Sequence, residues 1–220
     1  MSLVVVADEN IPALEDFLGD AARINYFSGR YLDRALLTGA DALFVRSVTH
    51  VDENLLADSS VSLVGTATSG FDHVDRHWLQ TQDIGFAHAP GSNANSVVEY
   101  VLAAIAESGG HLENLRQGGC LGVVGYGHVG RALVARLQAL GIDTRVYDPW
   151  LNQEDIPRCA DFYEILQCDV VSLHCELTRE LPWPSEHLFA AAALRELRPG
   201  ALLINASRGE VVDNNALLRV

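Results

Sequence analysis

The sequence predicts an α/β chain of two doubly wound parallel-sheet domains, the first flavodoxin-like and the second of the Rossmann type. Three features predict it. Short apolar runs such as LVVVA (3–7), DALFVR (41–46) and DVVSLHC (169–175) lack polar alternation, the mark of strands buried on both faces. Helix-like stretches separate these runs in the rhythm of parallel β–α–β units. The stretch LGVVGYGHVG at 121–130 joins a buried strand to the G-x-G-x-x-G spacing of a dinucleotide-binding turn.

In chain order, LVVVA is the first strand, and a helix is expected over Ile11–Leu18, opened by Asn10 and Pro12. INYF (24–27) is a strand, SGR a turn and YLDRALL (31–37) a helix. DALFVR, SLVGTA (62–67) and IGFAHA (84–89) are strands, separated by the helices DENLLAD and VDRHWLQ. This first domain is expected to span 1–91. Ser92 to Ser108 reads as one long helix, capped by Asn93 or Asn95, with Val97, Val98, Val101, Leu102 and Ile105 as its apolar stripe. The glycine-rich GGHLENLRQGG (109–119) reads as a connector.

The second domain, 92–220, continues with strands at 120–124 and 143–147, the helix DFYEILQ and the strand DVVSLHC. A loop TRELPWPS, the helix EHLFAAAALREL, the strand ALLINA (201–206) and a final helix in VVDNNALLRV complete it. A doubly wound dinucleotide domain usually has about six strands. Only four strand-like runs are legible here, so the second domain is expected to be incomplete.

The glycine turn has a distinct use for each of its glycines. Gly125 lets the strand turn sharply, Gly127 clears space for a pyrophosphate against the backbone, and Gly130 lets the helix pack on its strand. RALVARLQAL then has helical apolar spacing, and its first turn offers free N–H groups and a positive dipole end to phosphates. Asp148 lies 18 residues beyond Gly130, at the end of the next strand. A carboxylate there can accept from adenosine ribose hydroxyls and repels a 2′-phosphate, which favours NAD over NADP. Taken without that context, G-x-G-x-x-G also fits an ordinary tight strand-to-helix turn.

Composition narrows the partners. The chain has 220 residues with a formal net charge of −14, a pI near 4.8 and a mean hydropathy of +0.12. Its charge argues against nucleic acid or an anionic membrane as a partner, and any anionic substrate needs local arginines to hold it. The four cysteines, Cys120, Cys159, Cys168 and Cys175, show no C-x-x-C spacing. Strand-borne reduced cysteines act as small apolar residues and suit a cytosolic protein. Acids follow MSLVVVA too soon for a signal peptide, and no apolar run approaches membrane-spanning length, so a soluble cytoplasmic protein is expected.

INASRGEVVD at 204–213 carries the second cluster of candidate chemistry. Arg208 follows a strand at the carboxyl edge of its sheet, where open α/β sheets bind ligands. It can clamp a carboxylate with two parallel hydrogen bonds and polarise an adjacent carbonyl. On spacing alone, pairing with Glu210 or Asp213 at a helix start fits equally well. Ser207 and Gly209 suit a tight turn beside a flat ring.

Together GYGHVG, VYDP, SLHC and NASRGEVVD resemble the D-isomer-specific 2-hydroxyacid dehydrogenase family. DENIP, VRSVT (45–49), GTATSGFDHVD (65–75) and APGSNANSVVEYV (89–101) resemble, more narrowly, a branch acting on a phosphorylated 2-hydroxy acid, and the likeness runs from Asp8 to Leu218. The resemblance implies hydride transfer from substrate C2 to NAD, two domains enclosing the active site, and a homodimer in the full-length protein. It implies that Arg208 is the catalytic arginine and that Asp148 takes the ribose. Gly125, Tyr126, Gly127, His128, Val129 and Gly130 would cover the pyrophosphate, with Cys175, Ala206, Ser207 and Arg208 along the rest of the cofactor. Ser47 and Thr68 would contact substrate; without the resemblance they read as ordinary loop residues.

Two departures stand out. The family's H-T-P-L is His174-Cys175-Glu176-Leu177 here, so a thiol replaces a hydroxyl beside the cofactor and a turn proline is lost. The family's catalytic histidine and its glutamate partner correspond to none of the eight histidines present and are expected beyond the final helix. His73 and His77, at i and i+4, read as a surface pair on one helix face rather than metal ligands, and no metal is expected. Arg30 and Arg46 are candidate phosphate contacts, although solvated or salt-bridged arginines fit as well. Other 2-hydroxyacid dehydrogenases, and a non-catalytic NAD-sensing protein of the same fold, remain open readings at this point.

Overall fold

The structure, a computed structural model, describes residues 2–220 and divides into two compact units that meet in sequence at Ser92 and Asn93. The first unit contains β1 (Leu3–Asp8), α1 (Leu14–Leu18), β2 (Ala22–Phe27), β3 (Ala42–Val45) and α2 (Glu53–Leu56). It continues with β4 (Leu63–Thr66), α3 (Arg76–Thr81) and β5 (Gly85–His88). Its five strands are all parallel, in the order β2-β1-β3-β4-β5. This is the flavodoxin-like order, whose direction reverses between β1 and β3. Alternate residues of β1 explain the burial on both faces: Val6 packs with Leu37, Leu43, Leu56 and Leu79, while Val5 and Ala7 pack toward Leu14 and Leu18.

Local hydrogen bonds shorten several expected helices. The one anticipated over 11–18 starts only at Leu14, because Asn10 is spent on Asp8: its N–H and its side-chain amide both donate to Asp8 Oδ1, at 2.9 and 3.1 Å. The chain therefore makes a turn where helix was expected. Over 31–37 only a 3₁₀ segment, Arg34–Leu37, forms, since Asp33 accepts from the Ala35 N–H and fixes a late start. Asp52 and Asp75 cap α2 and α3 through the Leu55 and Trp78 N–H groups.

The second unit opens with α4 (Ala94–Glu107) and α5 (His111–Arg116). The glycine-rich connector is thus mostly helix; Gly109 and Gly118, both at positive φ, bracket it, and Leu115 anchors it in the core. Then follow β6 (Cys120–Val124), α6 (His128–Ala139), β7 (Asp143–Tyr147), α7 (Phe162–Leu166) and β8 (Val170–Leu173). The remaining elements are α8 (Ala191–Glu196), β9 (Leu202–Asn205) and α9 (Asn214–Leu217). A capping box between Asp161 and Glu164 starts α7. The helix expected across 186–197 is shorter at its start because Phe189 forms a parallel bridge with Val212 instead. The final stretch is a 3₁₀ segment, Gly209–Val211, followed by α9 rather than one helix.

The second sheet is also all parallel, in the order β7-β6-β8-β9. Outside β7 lies one more rung that the sequence reading missed. Val146 bridges to Cys159, its N–H bonding Arg158 O at 3.1 Å and its carbonyl accepting from Ala160 at 2.9 Å. With that rung the arrangement follows the first five positions of the 3-2-1-4-5-6 dinucleotide-binding order. One face of the sheet is covered by α4 and α6 through Val98, Val101, Ile105, Leu133 and Leu137. The other is covered through Ile165, Phe189 and Leu194.

Asp169 ties the amino-terminal ends of three strands together. Its Oδ2 accepts from the Cys120 N–H at 2.9 Å, its Oδ1 pairs with Arg198 at 2.8 Å, and its carbonyl accepts from Leu202 N–H. Burial alone would push its carboxyl upward; the Cys120 N–H, the Asn114 side chain and Arg198 outweigh this and hold it below the usual carboxylate range. A depressed carboxylate stabilises the fold above its unfolded pKa, and that contribution is lost as pH falls through its folded pKa. Asp169→Ala should therefore cost about 1–3 kcal/mol at neutral pH by stranding buried donors. In denaturant titrations the gap between wild type and variant should close in strong acid; a gap that is constant with pH would contradict this account.

Candidate functional site

The turn between β6 and α6 is shaped by three close approaches. Gly125 sits at φ +94, and a Cβ on it would lie 2.5 Å from Cys175 N and 2.7 Å from Cys175 Cα. Only glycine allows β6 to turn there while passing against the end of β8. A Cβ on Gly130 would lie 2.0 Å from Gly125 O, so the helix can pack against the turn only without a side chain. Gly127 is different, because nothing lies within 4 Å of its imaginary Cβ. Gly127 thus opens the start of α6 to the cleft that it lines.

No side chain caps α6, so its first N–H groups and dipole remain available to an anion. The turn opens into a cleft of about 570 Å³, within the size range of cofactor sites. Its walls include Gly125 to His128, Arg131, Asp148 to Leu151, His174 to Glu176, and Pro182 to Ser185. The cleft lies where the second sheet reverses direction, between the carboxyl ends of β6 and β8, the position at which such sheets bind ligands.

Asp148 has a second task that its spacing did not reveal. Its Oδ2 accepts from the Tyr126 N–H at 2.8 Å and its Oδ1 from the Trp150 N–H at 3.1 Å. The carboxylate therefore braces the glycine turn from the end of β7. Each carboxylate oxygen can accept more than one bond, which leaves capacity for ribose hydroxyls. Tyr126, at a fingerprint position that demands no particular side chain, is buried in the core and lies beneath the Arg131 guanidinium, 4.4 Å from ring centroid to Cζ. Arg131 thereby reaches the cleft from the first turn of α6, a cation the sequence reading passed over.

Trp150 and Trp183 were also missed. Both are half exposed, both line the cleft, and the Trp150 indole N–H donates to the Trp183 carbonyl at 3.2 Å. Their position beside Asp148 supplies flat apolar surface next to that carboxylate. The cue was present in Asp148-Pro149-Trp150, an aromatic residue two places past the acid.

At the end of β8, His174 Nε2 and Ser172 Oγ are 2.9 Å apart. Burial depresses the His174 pKa to about 4, so its ring is neutral throughout the physiological range. Burial likewise pushes the Cys175 thiol up to about 11, so it stands beside the cofactor turn as a neutral thiol, in reach of Ser207. Ser207 belongs to a turn organised by Asn205, whose Oδ1 accepts from the Ser207 N–H and hydroxyl while its Nδ2 donates to Arg208 O at 2.8 Å. That Asx turn presents Ala206 to Arg208 at the carboxyl end of β9. Asp213, one proposed partner for Arg208, uses its Oδ1 to cap α9.

In the first unit, β3 pairs with β4 so that Val45 stands opposite Thr66. Ser47 and Thr68 therefore follow their strands by the same two residues, both in loops at the carboxyl edge of the sheet. Ser47 is exposed in a turn; Thr68 Oγ1 is 2.7 Å from Thr66 Oγ1 and donates to Gly70 O. His73 does not share a helix face with His77 as expected. It precedes α3, is buried, and its Nε2 meets Thr66 Oγ1 at 3.0 Å, so it supports the Thr68 loop from beneath. Asp8, wholly buried, pairs with Arg46 Nε at 3.4 Å, while Arg30 is exposed. Among the described residues no group of three or more His, Cys, Asp or Glu is placed to hold a metal ion, and no helix is long and apolar enough to cross a membrane.

Comparison with known proteins agrees with this geometry. Residues 104–220 match the family model described as D-isomer specific 2-hydroxyacid dehydrogenase, NAD binding domain. The chain is 47% identical over 214 residues to an erythronate-4-phosphate dehydrogenase of Cellvibrio japonicus, covering 97% of this chain and 56% of that protein. An Escherichia coli protein of the same name is 44% identical over 219 residues, covering 97% and 57%. The chain thus spans a little over half the length of these curated relatives. Among solved structures, NAD⁺-bound 3-phosphoglycerate dehydrogenase of Entamoeba histolytica superposes with a TM-score of 0.80 at 22% identity, over 100% of this chain and 76% of the other. D-lactate dehydrogenase of Aquifex aeolicus, complexed with NAD and lactic acid, gives 0.79 at 25%, over 98% and 72%.

The glycines separate folding from ligand binding. Gly130→Ala should destabilise the second unit strongly, because its Cβ meets backbone at Gly125. Gly127→Ala should melt at close to the wild-type temperature yet weaken NAD binding measured by calorimetry, since it fills the open space at the helix start. Equal thermal and binding losses in both variants would refute this division.

Proposed function

The chain belongs to the D-isomer-specific 2-hydroxyacid dehydrogenase family, and from that footing we propose that it serves the NAD-dependent oxidation of 4-phospho-D-erythronate to its 2-oxo acid. The observation that carries the cofactor half is the glycine turn, packed against Cys175 on one side and open at Gly127 on the other. The substrate half rests on similarity to erythronate-4-phosphate dehydrogenases along nearly the whole of this chain.

In this reading Gly127 and the first N–H groups of α6 would hold the pyrophosphate, with Arg131 adding positive charge. Asp148 would take the adenosine ribose, and Trp150 and Trp183 would offer apolar surface to the adenine. When bound, NAD accepts the hydride released from C2 of the substrate. Arg208 holds the substrate carboxylate and draws electron density from the C2 oxygen as it becomes a carbonyl. It stays protonated at working pH and so acts as an electrostatic clamp, not a base. Ser47 and Thr68 offer hydroxyl and backbone groups to anionic substrate oxygens. His174, neutral and buried, shapes the cofactor wall, and its depressed pKa suits a fixed hydrogen-bonding group. The enzyme would act as a cytoplasmic homodimer in pyridoxal 5′-phosphate synthesis.

Two measurements test this. The protein, at the full length of its relatives, should form NADH from NAD⁺ and 4-phospho-D-erythronate, and Arg208→Lys should lower both kcat and substrate affinity while sparing NAD affinity. NAD binding without turnover on this or other 2-hydroxy acids would instead favour a cofactor-sensing protein. Separately, Asp148→Ala should weaken NAD binding by about 1–3 kcal/mol through loss of a charged acceptor. It should also narrow the preference over NADP; unchanged titrations with both cofactors would remove Asp148 from the ribose site.

A further inference from the structure

Cys120 opens β6 and Cys168 stands just ahead of β8. The parallel register pairs Leu121 with Val170, which brings Asp169 opposite Cys120 and Cys168 next to it. The two Sγ atoms lie 3.0 Å apart, closer than unbonded sulfurs ordinarily rest, and both cysteines are reduced. This pairing was invisible in the sequence, where the residues are 48 apart and read as isolated strand cysteines.

The two thiols are not equivalent. Cys168 is wholly buried, whereas Cys120 is of intermediate exposure. The contact between the two sulfurs holds the Cys120 thiol below its usual range, and the nearby Arg145 guanidinium acts in the same direction against burial. Cys168, the buried partner, whose Sγ also donates to Glu164 O at 3.6 Å, is pushed the other way. Cys120 is thus the more nucleophilic sulfur, with a resolving thiol already in contact.

We propose that Cys120 and Cys168 form an oxidative modification site, converted by a hydroperoxide into an intramolecular disulfide. In the first step the Cys120 thiolate attacks a peroxide oxygen and the O–O bond breaks; with one proton this gives Cys120 sulfenic acid and one molecule of water from hydrogen peroxide. In the second, Cys168 sulfur attacks the Cys120 sulfur, the S–O bond breaks, and the departing oxygen leaves as a second water carrying the Cys168 proton. Two thiols are oxidised by two electrons and one peroxide is reduced to two waters. The neighbouring strands already hold both sulfurs in contact, the first requirement for closing the bond.

The bond would close the loop from 120 to 168, which contains the glycine turn, α6, β7 and Asp148. It lies at the amino-terminal ends of β6 and β8, and the cofactor cleft lies at their carboxyl ends. Oxidation should therefore stabilise the NAD-binding unit, chiefly by restricting its unfolded chain, without altering cofactor affinity.

The test is peptide mapping of the reduced full chain after treatment with equimolar hydrogen peroxide. The expected product is a Cys120–Cys168 crosslinked peptide that dithiothreitol reverses, with Cys175 still open to alkylation after denaturation. Cys168→Ser should halt the reaction at a Cys120 sulfenic acid that dimedone captures, and Cys120→Ser should leave Cys168 reduced. The oxidised wild type should melt several degrees higher, with NAD affinity unchanged. Recovery of both Cys120 and Cys168 as free thiols under conditions that oxidise the exposed Cys159 would overturn the proposal, as would a Cys120 adduct or a different crosslink in their place.

Discussion

The second unit depends on two main-chain passages too narrow for a Cβ: Gly125 against the His174–Cys175 backbone, and Gly130 against Gly125 O. The first fixes how far β6 runs before turning, and the second fixes how closely α6 returns. Between them the start of α6 is aimed at the cleft with its N–H groups unused by side chains. Asp148 then locks the turn from the neighbouring strand through the Tyr126 N–H. The same turn leaves Gly127 open to the cleft.

The polar anchors divide along the sheet. At the amino-terminal ends, Asp169 accepts from a backbone group that the strands leave over and pairs with Arg198. At the carboxyl ends, Asp148, His174 and the Asn205 turn both hold structure and border the ligand cleft or the Arg208 loop. The first sheet repeats the pattern, with buried Asp8 and His73 beneath the loops that carry Arg46 and Thr68. Parallel sheets make this economical, since every strand delivers its following loop to the same edge.

Most of this architecture was legible before the structure, because the information lay in local pattern. Buried parallel strands show as continuous apolar runs, clear in β1, β3 and β8, whereas β2 (ARINYF) and β7 (DTRVY) carry polar residues and were legible only from their place in the strand–helix rhythm. The glycine turn and Asp148 were legible for the same reason: their chemistry depends on spacing within one β–α–β unit. What escaped depended on contacts distant in sequence or on competition between hydrogen bonds. The α1 start was lost to Asp8, which captured the expected cap, and α5 was hidden because its flanking glycines outweighed Leu112 and Leu115. His73 looked like half of a helical pair because i, i+4 spacing says nothing about where the helix begins. Trp183, 33 residues from Trp150, could be joined to it only by the fold.

The single rung at Arg158–Ala160 has a consequence beyond topology. Beyond β7, a full-length strand would offer a row of unpaired N–H and C=O groups to any other extended chain. Here the border is one bridge long, Arg158 sits at φ 55 and bends the backbone away from extended geometry, and its guanidinium pairs with Asp143 at 3.5 Å across the outer strand. That border is too short, too kinked and too charged to template a neighbour. A strand weak enough to escape notice in the sequence is thereby a guard against edge-to-edge assembly during synthesis and folding.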